Sequence, residues 1–173
     1  MEYVVLVDEK DNDVGLMEKM EAHEKGILHR AFSVFTFNSN GELLLQRRAL
    51  TKYHSGGLWT NTCCSHPRSG EAPIDAAHRR LQEEMGFDCD LKKAFHFIYR
   101  SELDHNLIEH ELDHVFIGKF DGVPKINPDE VHEYKYIDLD TLVQDVSDRP
   151  ELYTEWFKIC LEETLNQRHT LVG

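Results

Sequence analysis

The region from residue 56 to residue 87 constrains the fold most, because it joins a thiol, an imidazole and the clearest helix pattern of the chain. Residues 60–67 read Thr-Asn-Thr-Cys-Cys-Ser-His-Pro and come two residues after the turn-forming pair Gly56-Gly57. Apolar residues at helical spacing then form one stripe, which consists of Ile74, Ala77, Leu81 and Met85. Pro73 suits the first turn of this helix, and Gly86 ends it. Candidate chemistry and a core-facing helix are therefore adjacent, and we expect the other informative residues to be partners of this region.

Segments rich in aromatic and β-branched residues predict strands on both sides of the helix. The predicted strands are 3–7, 31–37, 42–48, 94–103, 106–120 and 134–137, and residues 38–41 form a hairpin turn between the second and the third. Further helices are expected at 139–146 and at about 150–168, the latter with Leu152, Trp156, Ile159 and Cys160 at core spacing. Residues 16–26 are either a short helix or a loop. The pattern predicts one mixed α/β domain over residues 1–173, with the C-terminal helix packed on it.

The composition is ordinary for a soluble protein, with 40% hydrophobic and 29% charged residues. No apolar run approaches the roughly 18 residues needed to cross a bilayer, and no basic stretch precedes an apolar core near residue 1, so we expect neither a membrane segment nor a signal peptide. The cysteines (Cys63, Cys64, Cys89 and Cys160) lack the spacing of a disulfide framework, which predicts free thiols and a cytoplasmic location.

The net charge of −13 argues against nucleic acid or an acidic membrane surface as a partner. A small anionic ligand remains compatible with this charge. Such a ligand would need a local basic cluster or a bound cation to overcome the field of the whole chain.

Histidines and acids along the chain are candidate metal ligands, namely His23, His29, His66, Glu109 and Glu111. Each histidine, taken singly, is more often a surface or hydrogen-bonded residue than a ligand. The two glutamates share one face of a predicted strand with Asp113, which by itself is typical of a solvated sheet. Together, imidazoles and carboxylates would suit Zn, Mn or Fe. Two carboxylates this close should raise one pKa unless a cation lies between them.

Two further features have both a structural and a functional interpretation. Cys64 is either a small buried hydrophobe or a base or nucleophile whose pKa is lowered by His66 and Arg68. The helix region carries acids around two arginines, namely Glu71, Glu83, Glu84, Arg79 and Arg80. These charges form either an exposed, salt-bridged face or a divalent-cation site for a phosphorylated ligand.

The spacing of these residues resembles the Nudix box. Ser65, Glu71 after five intervening residues, and the run 79–87 after seven more follow that motif, which implies a mixed β-sheet sandwiched between helices. Two positions depart from it, because Ser65 replaces the leading glycine and Arg80 replaces the acid after the first arginine. Together with the blocks 28–33, 45–49, 58–67 and 109–111, these departures resemble the type 1 isopentenyl diphosphate isomerases. The resemblance extends from about residue 3 to residue 156 and is specific, because five separated blocks agree.

The resemblance implies a role for each candidate residue. Mn²⁺ or Zn²⁺ would be held by His23, His29, His66, Glu109 and Glu111. Cys64 would be the catalytic thiol and Glu111 the acid, with Tyr99 as a proton relay, whereas Cys63 would only pack. Mg²⁺ would bind with the substrate diphosphate through Glu84. The basic contacts to the diphosphate would be Lys19, Arg48, Lys52 and Arg80, and Trp156 would either face a carbocation or pack in the core.

The implied activity is the interconversion of isopentenyl diphosphate and dimethylallyl diphosphate through a tertiary carbocation, in isoprenoid biosynthesis. Arg80 favours this activity, because a Nudix hydrolase needs acids there to gather Mg²⁺ and activate water. The alternatives are a Nudix hydrolase of a nucleoside diphosphate derivative and a non-catalytic domain that binds a metal or ligand. The expected partner is a small-molecule isoprenoid diphosphate, with no nucleic acid and no membrane, and the protein is expected to be a monomer or weak dimer.

Overall fold

The structure, a computed structural model, describes residues 1–171, so the last two residues of the predicted 1–173 domain lie outside the described part. The strands are β1 Tyr3–Val7, β2 Asp13–Glu18, β3 His29–Phe37, β4 Leu43–Arg48, β5 Trp59–Thr60, β6 Cys63–Ser65, β7 Leu91–Glu102, β8 Ile108–Lys119 and β9 Val131–Ile137. The α-helices are α1 Lys19–Lys25, α2 Pro73–Met85, α3 Leu139–Asp148 and α4 Glu155–Leu171, and 3₁₀ turns lie at Asp104–Asn106 and Pro150–Leu152. None of the helices among residues 1–171 has the length and apolar character needed to cross a membrane.

Strand β3 is the centre of a mixed sheet. It pairs in parallel with β8 along its whole length, from His29 opposite Glu111 to Phe37 opposite Lys119. Strand β7 pairs with β8 in antiparallel fashion, while β1 meets β3 at Leu6 opposite His29 and carries β2 on its other side. His29 therefore lies directly beside an acid of the neighbouring strand.

The predicted hairpin between β3 and β4 is wrong beyond its turn. The two strands pair only at Phe37 opposite Leu43, and β4 then takes β9 as its antiparallel partner. The segment that contains β5 and β6 lies between them. Thr62 Oγ1 accepts the N–H of Thr36 at 2.9 Å and donates to the carbonyl of Leu44 at 2.7 Å. Backbone groups that a hairpin would have paired are therefore satisfied by the cysteine segment.

Helices cover both faces of the sheet, and the two largest hydrophobic clusters lie beneath them. One core includes Phe32, Val34, Leu44, Leu81 and Met85, and the other includes Phe35, Phe37, Leu45, Leu142 and Phe157. Successive side chains of β3 point to opposite faces, which divides its residues between the two cores. Complete burial of one large apolar side chain contributes roughly 1.5–3 kcal/mol. The predicted α+β architecture, a mixed sheet between helices, is confirmed.

The C-terminal helix begins later than predicted. Pro150 starts a separate 3₁₀ turn, and α4 begins only at Glu155. The buried stripe of α4 consists of Trp156, Phe157, Cys160, Leu161 and Thr164. Ile159, which was predicted to face the core, is 50% exposed, because helical spacing from residues 156–157 returns to the core at 160–161 and leaves residue 159 outside.

Residues 16–26 contain both the end of β2 and the helix α1. The Glu18 carboxylate caps α1 by accepting the N–H of Glu21 at 2.9 Å, and Gly26 ends the helix at a φ of 67°. Two turns of helix therefore hold His23 on the inner side, where it is completely buried.

Candidate active site

Most of the predicted site residues line one pocket that opens to solvent. The pocket lies between β3, β6 and β8 on one side and the loop 49–57 on the other. The predicted residues that line it are Lys19, Arg48, Lys52, Cys64, His66, Arg80, Glu109, Glu111 and Trp156. The remaining predicted residues, His23, His29, Glu84 and Tyr99, are buried behind this lining.

Four of the five predicted metal ligands form one group. His23, His29, His66 and Glu111 each offer a ligand atom, and these atoms lie within 4.8 Å of one another. His29 Nε2 and His66 Nε2 lie 2.9 and 2.8 Å from the same oxygen, Oε2 of Glu111. The parallel register of β3 and β8 places His29 opposite Glu111, and the end of β6 leads directly to His66.

His23 shows why this group fits a divalent cation. Its Nδ1 lies 2.7 Å from the carbonyl oxygen of Lys19, to which it donates, so the neutral ring keeps a lone pair on Nε2. Burial and the neighbouring His66 lower the pKa of His23 to about 3, so the ring is neutral at physiological pH. Nε2 is buried and has no hydrogen-bond partner within residues 1–171. A buried lone pair beside two more imidazoles and a carboxylate is a donor set suited to Zn²⁺ or Mn²⁺.

Glu109, the fifth predicted ligand, belongs to a second and overlapping group. It lies with His54 and His23, and its Oε2 is 2.9 Å from His54 Nε2. The Tyr99 hydroxyl oxygen lies within hydrogen-bonding distance of Glu109 Oε1 and, at 2.7 Å, of Glu111 Oε1, so it links the two groups. The sequence interpretation missed His54. This histidine belongs to no motif, and only its nearness along the chain to predicted substrate contacts could have indicated it.

The pKa values of Glu111 and Asp113 on β8 are shifted in opposite directions. Burial alone would raise the pKa of Glu111, but hydrogen bonds from His29 and His66 outweigh burial and hold it well below its usual value. Burial and the charge of Glu111 raise the pKa of Asp113 far above its usual value, although Ser33 Oγ donates to Asp113 at 2.8 Å. The sequence predicted one raised pKa within the pair of glutamate ligands unless a cation lies between them. A raised pKa is found at Asp113, the third acid of the strand.

Cys64 lines the pocket from β6. Burial raises the pKa of its thiol far above the usual value, against the favourable charge of Arg48. The expected lowering by His66 and Arg68 is not found, because Arg68 is exposed and the His66 imidazole is hydrogen-bonded to a carboxylate. The raised pKa favours the protonated thiol in the metal-free protein. Cys63 is fully buried in the core beneath α2, as expected of a packing residue.

All the predicted basic contacts line the pocket, and most of them are paired with acids. Lys19 pairs with Glu2 at 2.9 Å, Lys52 pairs with Glu130, and Arg80 pairs with Glu84 at 2.8 Å and with Glu130 at 3.4 Å. Arg48 differs, because within residues 1–171 it has no carboxylate partner and its buried Nε has no hydrogen-bond acceptor. The local basic cluster that the net charge required is therefore present. Arg48 is the member that has no carboxylate partner among residues 1–171.

The two interpretations of α2 apply to different sides of the helix. Arg79 binds Glu71 through Nε and Nη2, both at 2.8 Å, in a partly exposed ion pair that is structural. Glu84 is buried, and its oxygens accept hydrogen bonds from Arg80 at 2.8 Å and from Gln46 at 3.1 Å. Oε2 also accepts Arg80 Nε at 3.1 Å, whereas Oε1 retains a lone pair, so Glu84 fits a cation that is shared with a phosphate through this oxygen.

Trp156 both packs and lines the pocket. It is 2% exposed, and its Nε1 donates to Asn61 Oδ1 at 3.3 Å. The Arg48 guanidinium lies 5.3 Å from the centre of its ring. The side chain is therefore fixed by a hydrogen bond on one edge while its ring forms part of the pocket wall.

The arrangement of sheet and helices has counterparts among solved structures. DR0079 from Deinococcus radiodurans has a TM-score of 0.71 at 19% identity, over 86% of this chain and 90% of that one. A MutT NUDIX hydrolase from Burkholderia pseudomallei has a TM-score of 0.63 at 19% identity, over 79% of this chain and 97% of that one. The NUDIX domain family matches residues 27–157. The fold and the box around α2 thus define a Nudix-domain protein.

Relatives with similar sequences identify the family within the Nudix-domain proteins. Isopentenyl-diphosphate Delta-isomerase 2 from Aromatoleum aromaticum is 58% identical over 165 residues, which are 95% of this chain and 87% of the relative. Isopentenyl-diphosphate Delta-isomerase 2 from Photorhabdus laumondii is 60% identical over 157 residues, which are 91% of this chain and 89% of the relative. The chain belongs to the type 1 isopentenyl-diphosphate Delta-isomerase family of the Nudix superfamily.

Proposed function

We propose that the protein interconverts isopentenyl diphosphate and dimethylallyl diphosphate in isoprenoid biosynthesis. The observation that carries this proposal is that one pocket joins two proton-carrying groups, the Cys64 thiol and the hydrogen-bonded pair of Tyr99 and Glu111, to a basic cluster. Relatives that are more than half identical to the chain bear the name of this activity.

Allylic isomerisation needs one group that protonates the terminal alkene carbon and another that removes a proton from the carbon nearer the diphosphate. We assign the first role to Glu111 with Tyr99 and the second role to Cys64. Burial and the neighbouring glutamates raise the pKa of Tyr99 far above its usual value, so its hydroxyl keeps the proton that it shares with Glu111. The Trp156 ring in the pocket wall is the candidate face for the tertiary cation formed between the two steps.

The protonation states favoured in the metal-free protein correspond to the end of the forward reaction. Burial raises the pKa of the Cys64 thiol, and hydrogen bonds from His29 and His66 hold the pKa of Glu111 well below its usual value. Forward turnover consumes a proton on Glu111 and leaves one on Cys64, so both groups must exchange protons before the next forward turnover. Since the pocket opens to solvent, these protons can exchange with water between turnovers. Deuterium from D₂O is therefore expected in both isomers.

Two cation sites belong to the proposal. Mn²⁺ or Zn²⁺ would be held by the histidine group together with Glu109 and Glu111, and when bound it would supply positive charge that offsets the repulsion between these carboxylates. Mg²⁺ would be held by Glu84 together with the substrate diphosphate. The diphosphate itself would be bound by Lys19, Arg48, Lys52 and Arg80.

The ligand class, the cellular location, the oligomeric state and the domain bounds are also proposals. A small isoprenoid diphosphate is the proposed partner, rather than nucleic acid or a membrane. The cytoplasmic location, the monomeric or weakly dimeric state and the single domain over residues 1–173 also stay predictions.

The test is incubation of the full chain with isopentenyl diphosphate and Mg²⁺ in D₂O, followed by NMR. We expect deuterated dimethylallyl diphosphate, and a loss of rate of roughly 100-fold or more in both Cys64→Ala and Glu111→Gln. Full activity in both variants would refute the mechanism. Release of phosphate from a nucleoside diphosphate derivative that survives Cys64→Ala would indicate a Nudix hydrolase, and metal binding without turnover would indicate a binding domain.

A further inference from the structure

We propose that His54 is a positioning residue of the metal site, which holds the Glu109 carboxylate on the metal side of the pocket and thereby strengthens binding of the cation. The inference rests on the proposed His–Glu metal site and adds a residue that the family resemblance did not assign. His54 and Glu109 are both buried, and His54 Nε2 lies 2.9 Å from Glu109 Oε2.

The imidazole of His54 is fixed on every side. The side chain is buried, with 2% of the residue exposed, and its Nδ1 lies 3.0 Å from Ser55 Oγ. Its ring packs against Tyr53 and Trp156, with centroid separations of 4.3 and 5.8 Å, and lies 5.4 Å from the ring of His23. With Nδ1 against Ser55 Oγ and three aromatic rings packed around the imidazole, Nε2 is held towards Glu109.

The loop that carries His54 is also rigid. Ser55 has a φ of 53°, and its N–H donates to the Asp104 carboxylate at 2.9 Å. A side chain on Gly56 would meet the Leu50 carbonyl oxygen at 2.7 Å, so only glycine allows this close approach of the backbone. The His54 carbonyl in turn accepts Arg48 Nη2 at 3.1 Å. The loop therefore presents the ring to the metal side and the carbonyl to the diphosphate side of the same pocket.

Glu109 depends on His54 for the placement of one of its two oxygens. Oε1 contacts the Tyr99 hydroxyl, and within residues 1–171 Oε2 has His54 as its side-chain partner. A carboxylate anchored at both oxygens keeps one orientation, whereas anchoring at one oxygen allows rotation. Loss of a residue that orients a metal ligand typically weakens metal binding by 10- to 100-fold.

The experiment measures Mn²⁺ affinity of the metal-free full-length protein by competition with a fluorescent chelator. We expect His54→Ala to weaken binding roughly 10- to 100-fold. His54→Gln keeps an N–H donor in reach of Glu109 and should restore affinity to within a few-fold of the unsubstituted protein. His132→Gln, at an exposed histidine of β9, is the matched control and should bind Mn²⁺ unchanged.

Thermal unfolding of the metal-free variants separates positioning from general stability. Weaker Mn²⁺ binding in His54→Ala with an unchanged melting temperature and rescue by His54→Gln would support the proposal. Unchanged affinity in His54→Ala would overturn it. Equal weakening by both substitutions at an unchanged melting temperature would also overturn it, because the ring nitrogen itself would then be a ligand. No substrate is present, so a protein that binds Mn²⁺ as expected but fails the D₂O assay would contradict the proposed function alone.

Discussion

Replacement of Arg48 by methionine tests whether this residue is the principal cation for the diphosphate. Arg48 is 6% exposed, its Nε has no partner, and its Nη2 reaches only a carbonyl oxygen among residues 1–171. Methionine has a similar length and keeps apolar packing against Trp156. The substitution therefore removes the charge and the donors while it largely preserves the packing of the pocket wall.

Arg48→Met should weaken diphosphate binding without weakening the fold. A hydrogen bond that involves a charged group contributes about 1.5–3 kcal/mol, so loss of even one such bond to a phosphate oxygen should weaken diphosphate binding roughly 10- to 150-fold. A buried charge without an ion-pair partner costs desolvation energy in the free protein. The free energy of unfolding of Arg48→Met should consequently stay unchanged or rise by about 1 kcal/mol.

Two measurements check this reasoning. Calorimetric titration of inorganic diphosphate in the presence of Mg²⁺ gives the affinity, and urea unfolding without diphosphate gives the stability. Arg47→Met is the matched control, since Arg47 is the neighbouring residue of β4, is partly exposed and binds the Gly57 carbonyl at 2.8 Å away from the pocket. Unchanged affinity together with a loss of stability above about 1 kcal/mol in Arg48→Met would show that the residue is structural.

Three further predictions follow from single residues. Asp113→Asn should stabilise the metal-free protein increasingly as the pH rises above 3.8, by up to about 1.4 kcal/mol per pH unit. The reason is that the carboxyl of the unfolded chain loses its proton in this range, whereas the buried carboxyl has a raised pKa and keeps its proton. Parallel curves of unfolding free energy against pH for the two proteins would contradict this prediction. Glu130→Gln removes the acid paired with two pocket cations and should tighten diphosphate binding without Mg²⁺ by up to about fivefold in calorimetry. Gly86→Ala should lower Tm by about 4–8 °C, because φ is 70° and a Cβ would lie 2.4 Å from Lys125 O. Gly70→Ala is the control: its φ of 77° is similar but a Cβ there would lie in open space, so Tm should fall less.

Features that depend on periodicity within one element could be predicted from the sequence. The apolar stripe and its flanking proline and glycine define α2 with the bounds that the structure has, Pro73–Met85. Alternation along β8 places Glu109, Glu111 and Asp113 on one face, as expected. The resemblance to known blocks, rather than spacing, supplied the histidines, because their distances apart in a loop do not determine a common location.

Features that depend on contacts between distant segments could not be predicted in this way. The pKa of Cys64 follows from its burial and from acids on other strands, and neither is visible in its immediate neighbours. His54 becomes part of the site only because its loop folds against β8 and α4. The pairing of β4 with β9 likewise joins segments about 90 residues apart, whereas the local turn signal favoured the nearer strand.

The separation of β3 from β4 gives the site its position in the sheet. Asn61 lies in the gap between these strands, and its amide Nδ2 donates to Val34 O at 3.1 Å and to Cys63 O at 2.8 Å. Its Oδ1 accepts the Trp156 indole N–H, so one buried amide connects β3, β6 and α4. A continuous hairpin would satisfy β3 and β4 with each other and leave no place for β6, which carries Cys64 into the pocket. The segment 60–65 therefore both separates the strands and supplies the thiol, which explains why its polar residues are buried in a region otherwise suited to apolar packing.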